Sequence, residues 1–77
     1  MTPTVTLLIV EDYSKRAYAV RAQADRPAEA VRRLVDRENI GRACIRRRVG
    51  RRVWKVGEVG AAGLVIGSLD RPAAGAS

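Results

Sequence analysis

Seventy-seven residues and a formal net charge of +7 describe one small, basic domain with a modest core. A hydrophobic fraction of 47% excludes wholesale disorder, the lack of histidine excludes a His/Cys zinc site and a His-based dyad, and one cysteine excludes an internal disulfide. No apolar run approaches the ~20 residues of a membrane span, and no basic n-region precedes an apolar h-region at the start, so a cytoplasmic protein is the expectation.

Thr4 to Val10, TVTLLIV, reads as a strand. It is rich in β-branched residues, with Val5, Leu7 and Ile9 on one face and Thr4, Thr6, Leu8 and Val10 on the other. Glu11 to Lys15 is polar and turn-prone. Arg16 to Ala22 reads as the second strand, with Tyr18, Val20 and Ala22 sharing a face and Ala17, Ala19 and Arg21 the other. The two strands form an antiparallel hairpin.

Asp25 is the expected N-cap of a helix over residues 26–38, with Pro27 in the first turn, where a missing N–H does no harm. Pro27, Ala30, Val31, Leu34 and Val35 fall on one stripe at helical spacing. Glu29, Arg32, Arg33, Asp36 and Arg37 fall opposite, where Glu29–Arg33 and Arg32–Asp36 are i,i+4 pairs. Asn39 and Gly41 can end the helix.

Gly41 to Gly60 reads as a second hairpin around a tight Gly50-Arg51 step. A two-residue loop pairs Val49 with Arg52, Arg47 with Trp54, Ile45 with Val56 and Ala43 with Glu58. Directly paired residues share a face. Ile45, Val49, Trp54 and Val56 then lie on one side; Arg42, Arg46, Arg48 and Lys55 lie on the other, with Cys44 and Gly57 between them. Beyond the hairpin, residues 59–63 are too rich in Gly and Ala for a firm strand, residues 64–69 suit a short strand or an ordered tail, and residues 70–77 lack an apolar period and read as a disordered tail. The expected fold is thus α+β over residues 1–69: a small antiparallel sheet of order β-β-α-β-β, with or without a short fifth strand, and one helix on one face.

Charge is uneven. Residues 1–38 carry seven basic and six acidic side chains, whereas residues 39–58 carry seven basic and one acidic. Localised positive charge points to nucleic acid or an acidic protein surface; an Arg- and Ala-rich composition with arginines merely solvating a sheet is the plain alternative. The binding candidates are Arg42, Arg46, Arg48, Arg51, Arg52 and Lys55. Arg46 and Lys55 sit directly opposite, at a cost of roughly 0.2–1 kcal/mol. Trp54 fits the core better than a base-stacking role, and Cys44 fits an inert strand cysteine better than a reactive one. Glu11 and Asp12 point apart on an extended chain, Ser14 and Ser68 lack a histidine base, and Gly57, Gly60 and Gly63 are not followed by a phosphate-loop Lys. No enzyme and no cofactor is expected, and dimerisation would add buried surface.

The order of the pieces, with Val20-Arg21-Ala22 at a strand end, Asp25 to Ala30 at a helix start, Gly41, and a hairpin bearing Arg46 and Trp54, resembles small β-β-α-β-β anti-CRISPR proteins that act on type I surveillance complexes. The resemblance spans roughly residues 4–58. It implies a phage-type, non-enzymatic inhibitor that binds Cas subunits of the complex in a bacterial host and blocks target DNA, with duplex DNA an added attraction for basic members. A small basic nucleic-acid-binding module is the competing expectation.

Overall fold

A computed structural model describes residues 3–70. It contains β1 (Thr4–Glu11), β2 (Ala17–Gln23), α1 (Pro27–Glu38), β3 (Ala43–Val49), β4 (Arg52–Gly60) and β5 (Gly63–Ile66). All pairings are antiparallel, in the order β2-β1-β3-β4-β5. The α+β expectation holds, and residues 63–66 supply the fifth strand. The expected tail lies, apart from Asp70, outside the described residues.

The sheet is curled. Four inter-strand gaps of about 4.8 Å make a flat five-stranded sheet roughly 19 Å wide, yet α1, with a diameter of roughly 10–12 Å, packs on both end strands, β2 and β5. Curling brings those ends toward one helix and makes a half-barrel. Its concave side holds the core: Leu7 and Ile9 from β1, Ala22 from β2, Val31 and Leu34 from α1, Ile40 and Ala43 ahead of and in β3, Ile45, and Val56 and Val59 from β4.

The helix stripe behaves as its spacing dictates. Val31 and Leu34 are buried, Pro27, Ala30 and Val35 half-buried, and the charged side is exposed. Two details differ from expectation. The N-cap is Arg26 and no side chain caps the helix, because Pro27 takes the first helical position and leaves Asp25 one residue too early. Neither i,i+4 pair closes; among the described residues the helix has one ion pair, Arg37–Glu38 at 3.3 Å. At the other end Asn39 adopts the left-handed conformation (φ 55°) and the Ile40 N–H donates to the Val35 carbonyl at 3.0 Å, returning the chain to β3.

The first hairpin pairs Leu7 with Val20 and Ile9 with Tyr18, so the inward faces match the alternation. Its turn is tied by Ser14 Oγ donating to the Glu11 carboxylate, and Lys15 takes a positive φ of 63°. In the second hairpin Val49–Arg52, Arg47–Trp54 and Arg46–Lys55 pair as expected from a two-residue loop. The register then shifts. Ile45 pairs with Gly57 and Ala43 with Val59, not with Val56 and Glu58. A β-bulge places the extra residue Val56 beside Gly57, two residues against one. The physical gain is burial: strict alternation from Trp54 would turn Val59 outward, whereas the bulge buries both Val56 and Val59. Val49 also departs from the core role expected of it, being 48% exposed at the hairpin tip, beside the Gly50-Arg51 turn.

Candidate binding face

The convex side of the sheet is uncovered by any element among the described residues. Register fixes what stands on it. Opposite in parity to buried Leu7 and Ile9, β1 presents Thr6, Leu8 and Val10. Thr6 pairs with Arg21 of β2, Leu8 with Ala19 of β2 and Arg46 of β3, and Val10 with Ala17 and Cys44. Across β3 and β4, Arg46 pairs with Lys55, Arg48 with Val53, and Cys44 with Glu58, while Glu58 pairs with Val65 of β5. The result is a floor of half-buried Leu8, Val10 and Cys44 bordered by exposed Arg21, Arg46, Arg48 and Lys55.

Charge on this face is only lightly neutralised. Lys55 Nζ lies 4.0 Å from a Glu58 carboxylate oxygen, both exposed. Arg48 Nε donates to the Gly50 carbonyl at 3.3 Å, which orients the side chain but leaves its charge unpaired. Arg46 and Arg21 take part in no ion pair among the described residues. A shallow groove of about 380 Å³ runs over Cys44 and Val65, and its charged lining is balanced: Arg42 and Lys55 against Asp12 and Glu58.

All six sequence candidates are exposed, but they do not form one cluster. Arg46, Arg48 and Lys55 share the open face. Arg42 sits in the bend before β3 and lines the groove. Arg51 lies in the turn, and Arg52, opposite Val49, points to the concave side at the hairpin tip. Three contributors were missed. Arg21 joins the face only because β1 lies between β2 and β3, a pairing of segments on either side of the helix. The apolar floor of Leu8 and Val10 depends on the same pairing. Tyr13, 97% exposed in the β1–β2 turn beside Gly41 and Arg42, has no sequence signal separating it from an ordinary turn tyrosine.

Trp54 packs against the core as expected. No aromatic side chain projects from the strands of the open face. Arg47, paired with Leu7 and Trp54, stands on the concave side and is not part of the basic face. No helix of the described residues is long and apolar enough to cross a membrane. In comparisons with known proteins, the chain matches no family model, no curated protein and no solved structure.

Proposed function

We propose that this chain is a non-enzymatic binding protein that docks through the open face of its sheet, and that its partner is a type I CRISPR surveillance complex whose target-DNA binding it blocks from within a bacterial host. The observation that carries the docking part is the uncovered floor of Leu8, Val10 and Cys44 ringed by Arg21, Arg46, Arg48 and Lys55. Such a face suits a partner with an apolar centre and an acidic rim: the floor contributes burial and the arginines contribute steering and register. The Arg46–Lys55 opposition supports the same reading, because a like-charged pair weakens the sheet and is relieved when an anionic surface arrives. The step to a surveillance complex rests on the resemblance in element order. A complex that holds guide and target in a basic channel is stopped by a small protein on the subunits lining it. A basic inhibitor does not imitate DNA; it uses acidic or apolar patches of those subunits.

A second reading is favoured by the unpaired charge of Arg21 and Arg46: a nucleic-acid module that holds phosphates directly. Sheets that bind single strands stack bases on aromatic side chains; the strands of the open face carry none, and exposed Tyr13 stands apart in the β1–β2 turn, which favours the protein partner. One experiment separates the two. The chain is used as bait in an extract carrying an active type I system, and target-DNA binding by the complex is then measured. Recovery of Cas subunits with impaired DNA binding supports the proposal. Recovery of none, with DNA binding intact, refutes it. Gel shifts on duplex and single strands at two salt concentrations report on the second reading, for which four phosphate contacts give a log–log salt slope of roughly −3.6.

A further inference from the structure

We propose a second site, on the concave side and independent of the open face: an oxyanion site, for a carboxylate or phosphate group, built on Arg47 and Trp54. Arg47 occupies a core row of the sheet, between Leu7 on β1 and Trp54 on β4. A permanent charge placed there must be matched by acceptors. The match is incomplete. Arg47 Nη1 donates to the Leu69 carbonyl at 2.8 Å and reaches an Asp70 carboxylate oxygen at 3.4 Å. The Nε–H, however, is buried and has no partner among the described residues, and the same is true of the Trp54 indole N–H. The two side chains are neighbours, with the guanidinium carbon 5.7 Å from the indole ring centroid. Two buried donors on adjacent side chains, beside a fixed positive charge, favour an anionic acceptor over a neutral one.

Access and charge favour an anion over a neutral group. Arg47 lines an open cavity of about 880 Å³ between the start of β1, the first turn of α1 and the segment after β5; Trp54 does not line it, so a ligand enters on the Arg47 side. Its charged lining is Asp25, Arg26, Arg47 and Asp70. Asp70, with a side chain 93% exposed, is held by Arg47 only through that 3.4 Å contact. The chain thus already rests one of its own carboxylates at the guanidinium, loosely, on Nη1 rather than on the unpartnered Nε. Once Asp70 swings away, Arg26 and Arg47 face a single acid, Asp25.

The single tryptophan makes the test direct, since the chain has one indole N–H resonance. Isotope-labelled full-length protein is titrated with inorganic phosphate and, separately, with acetate, against sodium chloride at matched ionic strength. The proposal expects a saturable shift of the Trp54 indole and Arg47 Nε–H resonances beyond the chloride control. Response to phosphate alone assigns a phosphate ligand; response to acetate alone assigns a carboxylate. Asp70→Asn, at an exposed position that leaves the fold intact, removes a negative charge that repels an incoming oxyanion and tightens the apparent affinity about two- to five-fold. Arg47→Lys keeps the charge, loses Nε, and abolishes the indole shift. The double variant Arg46→Glu/Arg48→Glu leaves the apparent affinity unchanged. Shifts that merely track chloride, an affinity that Asp70→Asn does not change, or loss of the response in the open-face variant each overturn the site. So does an unshifted indole N–H in contact with a slowly exchanging water, which would mean that the orphan donors hold solvent.

Discussion

Among the described glycines, Gly57 has the least room for a side chain. It lies on the bulged stretch of β4, paired with Ile45 on one side and Ile66 on the other. A methyl group added there falls inside contact distance of the Val65 carbonyl oxygen, 3.0 Å from Ile66 Cα and 3.2 Å from the Val65 carbonyl carbon. All three are backbone atoms, so no side chain can rotate away; β5 itself must move. Overpacking costs typically 1–3 kcal/mol, and a clash against backbone belongs in the upper half, about 2–3 kcal/mol. For a domain of this size each kcal/mol moves the midpoint by about 4–8 °C, so Gly57→Ala is expected to lower Tm by roughly 8–24 °C. The matched control is Gly60→Ala on the same strand, where an added methyl meets nothing within 4 Å; its change should stay within about 0.5 kcal/mol. Thermal unfolding followed by circular dichroism compares the two. Equal midpoints for Gly57→Ala and Gly60→Ala would show that β5 is not held against β4 as described.

Arg46→Glu with Arg48→Glu should leave the unfolding midpoint within a few degrees, since both side chains are exposed, while weakening binding to an acidic partner mainly through a slower on-rate; stopped-flow association at two salt concentrations checks it. Lys55→Gln should weaken binding and, by ending both the opposition to Arg46 and the 4.0 Å contact to Glu58, leave stability within about 0.5 kcal/mol; denaturant titration and partner affinity on one sample check both. Leu7→Ala, at a fully buried central position, should cost about 2–5 kcal/mol and leave little folded protein at 37 °C, read by urea titration. Tyr13→Ala should leave stability unchanged, and in a pull-down it should reduce capture of the partner if the exposed ring is an anchor at the rim.

What could be read from the sequence was set by short-range physics. The α1 stripe, the alternation of β1 and β2, and the pairs nearest the Gly50 turn all follow from spacing within one element or one hairpin. The bulge at Val56 had one sequence signal, Gly57 as an isolated glycine inside a strand pattern, which a uniform two-residue-loop register carries straight through; the need to bury Val59 as well as Trp54, which places the extra residue, is tertiary. Asp25 is a good capping residue by type, yet the backbone entering Pro27 puts Arg26 at the cap. β5 was uncertain because residues 59–63 are poor in large apolar side chains, whereas the turn there is made by Gly63 at φ 98°. The basic face was half legible: Arg46, Arg48 and Lys55 came from one hairpin, while Arg21, Leu8 and Val10 depended on the β1–β3 pairing across the helix.

That β1–β3 seam also sets how the molecule can assemble. β1 with β2, and β3 with β4 and β5, are local meanders whose turns close quickly. Among the described residues the strands of the two meanders pair only at the seam, where Glu11 lies beside Ala43 and Leu7 beside Arg47, with β2 and α1 intervening in the chain. Loop closure there must precede any reward from Ile9 against Ile45, so the seam is the expected bottleneck of folding. The same seam runs through the middle of the open face. Until it closes, Leu8 and Arg46 are not neighbours, and neither half alone carries the arrangement that a partner would meet.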